Sequence, residues 1–385
     1  LDLRLALGDR GSLKIKGGYA TSLRKRPGAL TALERESDRR QAEPGTSGDQ
    51  DAGRQRFVEA SLDFRITDFV KIHLHPWHRR LTDVASLSGF STFEIPGLFR
   101  IDSVTRFDVD SEEDELGLLG HLQFDFEVFG RPNRLLVGGD VVQQDVDGDS
   151  VFASTDTTTS AFGSTTTLSE FPNSSRSRRK AWGVFLQNDL QIYDRVTLSM
   201  GVRRDRIRVE ARDRLALAGM QEFEARQTAW GPRAGVSIRL AEPVSVYASY
   251  SRGFRFPNLN ELFRFLGDNR PLRPEKSDSY EVGLKVRHER VSLNLAFYTM
   301  NVQDEIFFDP FVGTFGQDIN IARVRHRGIE VSGSLRPWDW LELYGSYTYD
   351  GTKFARDNVT FLEGNRIPIT PRHRGTAGLR LLLPY

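Results

Sequence analysis

Three aspartates, Asp145, Asp147 and Asp149, stand at alternate positions around Gly148 in the segment QQDVDGDS. In calcium-binding loops, carboxylates at positions i, i+2 and i+4 converge on the hard cation. The glutamate that closes an EF-hand loop is absent, so further ligands would have to come from the acidic run 108–115 or from water. The segment predicts a structural calcium site, and the alternative is a solvated acidic loop.

A second candidate is the segment SYSRGFRFPNLNELF, residues 249–263, which follows the alternating stretch VSVYASY. Proline cannot donate to a β-ladder, so the strand is expected to end near Pro257. Basic and aromatic side chains grouped at a strand end favour contact with an anionic, planar or chelate-like ligand. We therefore predict a ligand-binding mouth formed by Arg252, Phe254, Arg255, Phe256 and Asn258. The alternative is that these side chains only pack the segment against the strand ends.

Enzymatic chemistry has no support in the sequence. The 385 residues include no cysteine and no GxSxG, HExxH, phosphate-loop or dinucleotide-binding motif, so no catalytic residue is predicted and an enzyme is not expected. His73 and His75 are two positions apart and could share a metal, although this spacing is more common on a solvated strand. A net charge of +1, from 53 basic and 52 acidic residues, does not indicate a nucleic-acid partner.

The elements that must position these residues are strands. Apolar and polar residues alternate over most of the chain, as in FVEASLDFRI (57–66), KAWGVFLQNDLQIY (180–193) and VTLSMGV (196–202). A period of two residues predicts strands that have one apolar and one polar face. No apolar run approaches the length of a transmembrane helix.

Short and long connections alternate along the chain. Short links are predicted near residues 67–68, 130–133, 193–195, 241–243, 288–289 and 337–339. Long polar links are predicted at about residues 21–55, 83–113, 146–178, 210–226, 255–276, 304–320 and 352–371. About 15 antiparallel strands result. This alternation is typical of outer-membrane barrels, in which short turns face the periplasm and long loops face outward.

Two observations favour a membrane barrel over a soluble β-sandwich. The alternating stretches are long for sandwich strands, and their polar faces are rich in Glu, Asp, Arg and Gln, which suit a wet lumen. In addition, the apolar face of VTLSMGV continues as Arg204, Arg206 and Arg208. Charge is costly at mid-bilayer and tolerated at the interface, so these arginines predict the upper edge of the membrane band and contact with lipid phosphates. The alternative for them is a solvated strand tip.

Six blocks of sequence resemble the TonB-dependent outer-membrane receptors. ASYSRGFRFPNLNELF resembles the run in which a barrel strand of that family leads into an extracellular loop. Five further blocks resemble family strands and hairpins: VFLQNDLQIYDRVTLSMGVRRD, WGPRAGVSIRL, LRPEKSDSYEVGLK, NIARVRHRGIEVSGSLRPWDWLELYGSYTY and GNRIPITPRHRGTAGLRL. The resemblance covers roughly residues 180–385. The first 180 residues share only the general alternating pattern and none of the family's sequence blocks.

The resemblance implies an all-β fold, a large antiparallel transmembrane β-barrel. In that family the barrel has 22 strands, and residues 1–385 would form part of this one domain without an internal boundary. The family's plug domain and its TonB-engaging segment are not visible here. We therefore expect the chain to be a piece of a longer polypeptide, with the plug and at least one strand upstream.

The resemblance also implies a function, which is energised uptake of a metal chelate, such as a ferric siderophore or cobalamin, across the outer membrane of a Gram-negative bacterium. The implied partners are TonB, reached through a plug region absent from this chain, the chelate, and outer-membrane lipid or lipopolysaccharide. No cofactor is implied beyond the structural calcium at Asp145, Asp147 and Asp149, since some family members order their extracellular loops with calcium. A passive porin-like channel and a surface-loop binding protein or adhesin remain alternatives.

Overall fold

The chain folds as one antiparallel sheet. The computed structural model describes residues 1–25, 49–96, 98–160, 163–215, 222–262, 272–309, 317–356, 363–367 and 370–382. In these ranges there are sixteen strands and a single helical turn, α1 (Leu259–Leu262). The strands are β1 (Asp2–Ala6), β2 (Gly11–Lys25), β3 (Gln50–Arg65), β4 (Val70–Ile95), β5 (Phe99–Val128), β6 (Arg131–Ser160), β7 (Gly163–Tyr193), β8 (Val196–Asp213), β9 (Glu222–Ala241), β10 (Val244–Arg255), β11 (Glu275–His288), β12 (Val291–Asp309), β13 (Gln317–Trp338), β14 (Leu341–Asp350), β15 (Lys353–Arg356) and β16 (His373–Leu381). Among the described residues, no helix is long and apolar enough to cross a membrane.

The strands follow one another as a meander. Each strand from β1 to β14 pairs with the next along the chain, β16 pairs with β14, and β15 pairs with β13 beyond the end of β14. The links at 7–10, 66–69, 129–130, 194–195, 242–243, 289–290 and 339–340 are short and lie at one rim, which we call the short-turn rim. The opposite, long-link rim carries the other connections. The predicted all-β antiparallel fold is confirmed.

Most short links lie within two residues of the predicted positions, and one differs by more. The sequence places it at 130–133, whereas the turn consists of Phe129 and Gly130, and β6 begins at Arg131. Both turn residues have positive φ, 52° and 70°. Two-residue hairpin turns need this backbone because its twist matches that of the paired strands, and glycine adopts it without strain.

The two faces of the sheet differ in chemistry, and the strand register lines up each face across several strands. One cross-strand row, from β3 to β9, is Phe64, Ile72, Leu122, Val137, Leu186, Val202 and Pro232. The adjacent row on the other face is Asp63, His73, His121, Gly138, Phe185, Arg203 and Gly231. Val137 and Leu186 in the first row are 42% and 46% exposed, so this apolar face has no protein cover and suits lipid.

Strand β8 exchanges its two faces partway along its length. Up to Val202 the apolar residues share one face, and beyond it the same face carries Arg204, Arg206 and Arg208. The other face does the reverse, because it is polar up to Asp205 and then carries Ile207 and Val209, which are both buried. The exchange marks the height at which the exposed apolar face ends outside and protein packing begins inside.

Two of the predicted long links are strands, so the prediction of loops at 83–113 and 146–178 is wrong. Strands β4, β5, β6 and β7 have 26, 30, 30 and 31 residues and pair with one another through these regions. A membrane crossing needs only about 9–11 residues, so most of each strand stands beyond the membrane band. Both faces then contact water or protein, which removes the alternation that identifies a strand, while the β-branched threonines of TDTTTS and GSTTT still favour one. The predicted link 21–55 lies mostly outside the described residues.

Protein packing is concentrated at the long-link rim. One buried cluster, rim cluster A, consists of Ile207, Val209, Leu262 and Leu272, with Phe256, Phe223 and Ile306 packed against it. A second, rim cluster B, consists of Val302, Ile321, Val324 and Phe354. These clusters hold the segments after β10 and β14 against the sheet.

Candidate ligand-binding site

Arg255, at the end of β10, is the centre of an ion-pair network. Its guanidinium donates to both carboxylate oxygens of Glu275, from Nη2 to Oε1 at 2.7 Å and from Nε to Oε2 at 2.9 Å. Its Nη1 also donates to Glu261, 2.9 Å from Oε1. These charge-assisted hydrogen bonds raise the pKa of Arg255, with that to Glu275 the largest cause. The network joins the segment after β10 to the first residue of β11.

The turn after Arg255 is stabilised by a reciprocal cap. Asn258 Oδ1 accepts a hydrogen bond from the Glu261 backbone N at 2.8 Å, and Glu261 Oε2 accepts one from the Asn258 backbone N at 2.7 Å. This is a capping box, which satisfies two backbone donors at the start of α1. Glu261 thus serves both the cap and the ion pair with Arg255, so cap and ion pair reinforce each other.

The aromatic residues of the segment pack against protein. Phe256 lies against rim cluster A, Pro257 and Leu262 are fully buried, and the Phe254 ring is 5.4 Å from that of Phe256. Arg252 forms a bidentate pair with Asp278 at 2.8 and 2.9 Å, and Tyr250 donates to the same carboxylate. Of the five residues predicted to form the mouth, both arginines are therefore paired with carboxylates, and direct ligand contact stays a prediction.

A buried carboxylate lies beside this network. Glu305 on β12 is beyond the membrane band, and its Oε2 is buried without a hydrogen-bond partner in the described ranges. Burial, together with the neighbouring Glu275 carboxylate, raises the pKa of Glu305 to about 7. The neighbouring backbone N of Ile306 donates to Glu275 Oε1 at 2.8 Å.

A cavity opens at the same rim. Its volume is about 720 Å³, within the range of small-molecule sites, and one face of the neighbouring strands β5, β6 and β7 forms most of its lining. Asn258 lies on its remaining side. The sheet wall is the set of cavity-lining residues within Phe107–Glu113, Gln144–Phe152 and Phe171–Arg179. The segment wall is the stretch Arg255–Leu262. Of the five predicted mouth residues, Asn258 is the one that lines this cavity.

The sheet wall changes chemistry along its height. Farthest from the membrane band, Phe107, Phe152 and Phe171 form one cross-strand row, with the last two rings 6.3 Å apart. Below this row the wall is made of small residues, Ser111, Gly148 and Ser175, which also form one row. Nearest the band, the wall carries Arg179, together with Gln144, which donates to Glu113 at 2.8 Å.

The three aspartates predicted to bind calcium lie in strand β6 rather than in a loop. The register places Asp110, Glu112 and Asp114 of the acidic run opposite Asp149, Asp147 and Asp145, respectively. Asp145 accepts from Arg178 at 2.5 Å, and Asp147 pairs with Arg214 and, at 3.8 Å, with Arg176. In the described ranges no three His, Cys, Asp or Glu side chains are arranged to hold a metal. Calcium binding here stays a prediction, and arginines already hold two of its three ligands.

The two histidines considered for a metal have separate partners. His73 Nδ1 lies 2.7 Å from Asp63 Oδ1, and the His73 ring stacks on His121 at 5.0 Å. His75 Nδ1 lies 2.9 Å from Ser61 Oγ. Their shared face is confirmed by the register, and a metal role remains untested.

The sequence reasoning missed Glu261, Glu275, Glu305, Arg179 and the phenylalanine row. The signature Asn258-x-x-Glu261 could have identified the capping box. Arg179 and the phenylalanines fall within a stretch interpreted as a loop, and no local signal pairs Arg255 with a residue twenty positions away.

A wide antiparallel meander with a lipid-type apolar face, a polar opposite face and a cavity at the long-link rim has the architecture of an outer-membrane receptor barrel. Residues 3–385 match the family model described as TonB dependent receptor-like, beta-barrel. The chain belongs to that family, and the resemblance seen in the sequence is confirmed and extended to the first 180 residues.

Individual relatives agree with this membership. The chain is 28% identical over 199 residues to the ferrichrome outer membrane transporter/phage receptor of Escherichia coli (strain K12), which covers 51% of this chain and 25% of that protein. It is 31% identical over 98 residues to the vitamin B12 transporter BtuB of Vibrio vulnificus (strain YJ016), covering 25% of this chain and 16% of that protein. The chain thus matches a quarter or less of the length of these two relatives.

Solved structures share the fold at low sequence identity. The siderophore receptor PiuA from Acinetobacter baumannii superposes with a TM-score of 0.75 at 16% identity, covering 98% of this chain and 60% of that one. The ferric-catecholate import receptor Fiu from E. coli K12 gives a TM-score of 0.72 at 16% identity with the same coverage. At this identity the likeness establishes the fold alone.

Proposed function

We propose that this chain forms part of the barrel wall of an outer-membrane receptor. The receptor would carry out energised, TonB-dependent uptake of a metal chelate such as a ferric siderophore or cobalamin. The observation that carries the proposal is the family match over residues 3–385, joined to a cavity of about 720 Å³ at the long-link rim. The printed functions of the relatives, ferrichrome and vitamin B12 transport, support a chelate as the ligand. The proposed location is the outer membrane of a Gram-negative bacterium, and the proposed role is transport rather than catalysis.

The energy for uptake would come from a partner. The outer membrane holds neither ATP nor a maintained ion gradient, so uphill transport needs a contact with an inner-membrane system. We assign that contact to TonB, through a plug region outside this chain. The polar sheet face, which includes Asp63 and His73, would then line the path that opens when the plug shifts.

The proposal is tested by growth and uptake. A host that lacks the receptor should fail to grow when iron or cobalt is supplied only as the transported chelate, and the gene should restore growth. Uptake should stop when a protonophore collapses the inner-membrane proton gradient. Uptake that continues in de-energised cells, or open pores formed by the purified protein in planar bilayers, would instead support the passive channel.

A lipid partner is proposed for the outer face of β7–β9. Arg204 lies 5.1 Å from the Trp230 ring, and Lys180, Arg204 and Arg206 have no carboxylate partner in the described ranges. Farther from the apolar band, Arg208 and Arg212 are paired with glutamates. Cations left unpaired at the band edge, beside exposed tryptophans, suit lipid phosphates.

The lipid proposal has a matched control. Native mass spectrometry should detect bound phosphorylated lipid A, and Arg204→Gln with Arg206→Gln should remove it, whereas Arg212→Gln should retain it. Equal retention by both variants, or equal binding of dephosphorylated lipid, would contradict the assignment.

A further inference from the structure

Strand β7 has a partner on only one side over the part farthest from the membrane band. It pairs with β6 from Gly163 to Leu190. Pairing with β8 begins only at Ser175, which lies opposite Asp213, the last residue of β8. In the described part of the chain, residues 163–173 of β7 therefore form a free edge of the sheet at the long-link rim.

The direction of the unpaired backbone groups follows from the last bond between β7 and β8. Arg214 N donates to Ser174 O at 2.8 Å, so the backbone groups of Ser174 point toward β8 rather than β6. The register between β6 and β7 has no shift, so every second residue before Ser174 points the same way. These residues are Ser164, Thr166, Leu168, Glu170 and Pro172. Because proline has no N–H, the row of outward donors ends at Glu170.

The free edge of β7 lacks the devices that usually protect a sheet edge. Lysines, bulges and prolines commonly prevent another strand from adding. The stretch STTTLS, residues 164–169, contains none of these and no charge, and its threonines favour an extended backbone. On the opposite edge of strands β4–β7, Asp49 Oδ2 accepts from Ser88 N at 2.8 Å and so covers a β4 donor. Residues 164–169 are thus an open site for main-chain hydrogen bonds.

The surface beside this edge is acidic. Glu170 lies on the outer face of β7, and Asp110 and Asp149 lie opposite each other on the same face of β5 and β6. These three carboxylates have no ion pair in the described ranges, whereas the neighbouring Asp108 pairs with Arg106 at 2.8 Å. A partner at this edge is therefore favoured if it is basic.

A cavity of about 530 Å³ opens on the outer face where β8 ends. Its lining includes Pro172, Leu215 and the carboxylates Asp110 and Asp149. Leu215 follows the end of β8, so a strand that continued the line of β8 would start at this cavity. A lysine or arginine there would place its apolar stem against Pro172 and Leu215 and its charge toward the carboxylates.

We infer that the free edge of β7 binds an extended, basic segment of another protein by strand addition. The segment runs antiparallel to β7, pairs with the outward backbone groups of Ser164 to Glu170, and places a basic side chain in the cavity beside Pro172. A second copy does not fit, because the β7 strands of two copies in one membrane run in the same direction, whereas β7 pairs antiparallel with both of its neighbours. The inference goes beyond the proposed function and does not depend on chelate uptake.

The test uses the native protein purified from membranes and a synthetic peptide with an amino-terminal lysine, alternating threonine and valine, and a carboxy-terminal fluorophore. Fluorescence anisotropy should detect binding to the wild type. The peptide should also slow hydrogen exchange in residues 163–171, because it accepts hydrogen bonds from their outward N–H groups.

Matched variants separate the backbone from the side chains. Leu168→Pro removes an outward N–H without removing a hydrogen bond to β6, and should weaken binding by roughly 10-fold. Leu168→Thr loses the same side chain but keeps the N–H, and should bind as the wild type does. Asp149→Asn combined with Glu170→Gln should weaken the lysine peptide by about five-fold and leave a peptide with threonine in place of lysine unchanged.

Two results would overturn the inference: equal affinity of Leu168→Pro and Leu168→Thr for the peptide, or unchanged hydrogen exchange in residues 163–171 when the peptide is added. Native mass spectrometry tests for a second copy. Wild-type dimers that Leu168→Pro dissociates, without peptide binding, would assign the edge to self-association and also overturn the inference. Chelate uptake in wild-type cells reports on the proposed function alone, so its failure would contradict transport and leave the strand-addition site intact.

Discussion

The two walls of the mouth cavity are held in place by different forces. The sheet wall belongs to strands whose backbone ladder continues unbroken from the membrane band, so its position does not depend on particular side chains. The segment wall follows the end of β10 and is held by Arg255, by the Asn258–Glu261 cap and by the packing of Phe256 and Leu262. The sheet wall is therefore a fixed surface, and the segment wall is one that a few substitutions or a change in pH can release.

The largest effect is expected from the packing of the segment wall. Leu262→Ala removes a fully buried side chain from rim cluster A and should destabilise the segment locally by about 2–5 kcal/mol. Hydrogen exchange of residues 254–262 should rise accordingly, with little change in β6. Val146→Ala in the half-buried sheet wall is the control. If it raised hydrogen exchange in the sheet wall as much as Leu262→Ala raises it in the segment wall, the difference between the walls would be contradicted.

The second-largest difference in stability between the two walls is expected from a change in pH. An unfolded glutamate ionises near pH 4.5, whereas Glu305 in the fold ionises near pH 7. Between these values the folded protein binds a proton that it releases when Glu305 is exposed to water, so the free energy of an opening that exposes Glu305 falls as the pH rises from about 4.5 to 7, by on the order of 3 kcal/mol. Hydrogen exchange of the segment wall, corrected for intrinsic rates, should show this loss at pH 7.5 relative to pH 5. The Glu305→Gln protein should lack the dependence, and identical pH profiles for it and the wild type would disprove the role of Glu305.

A smaller effect is expected from the ion pairs. Arg255→Met leaves Glu261 and Glu275 without their cation, but the Arg255 side chain is 43% exposed, so solvent screening limits the local loss to about 1–2 kcal/mol. Limited proteolysis should cut the segment faster. Arg252→Met is the matched control, because it removes a similarly exposed bidentate pair from within the β10–β11 ladder, whereas Arg255 and Glu275 are the last pair of that ladder. Faster cutting in both variants would mean that the ladder gives no extra protection.

The membrane band could be predicted from sequence because lipid on one face and water on the other impose alternation. In β8, the alternation from Val196 to Val202 predicted both the strand and its lipid face, and Arg204 predicted the edge of the band. Beyond that edge both faces contact water or protein, and the alternation disappears. The strands through 83–113 and 146–178 were for this reason interpreted as loops, and the sheet wall with them.

The candidate site was only half visible for a related reason. The family-like block around Arg255 located the segment wall, because its residue types are unusual within a few positions. Its partner Glu275 and the neighbouring Glu305 come from two later strands, and their approach depends on register, which the sequence pattern does not supply. Arg179 differs from Arg178 only by the face on which it lies, so its place at the cavity could be recognised only in the structure.

The exchange of faces in β8 also bears on how the strand enters the membrane during assembly. A slip of one residue would turn Arg204 and Arg206 inward and bring Ile207 and Val209 out of rim cluster A. A slip of two residues would keep the faces but move Arg204 to the level of Val202, beside Leu186 and Pro232, where a charge costs up to about 2–4 kcal/mol. Each of these two slips is thus penalised, so the exchange of faces fixes the register of β8 against β7 and β9.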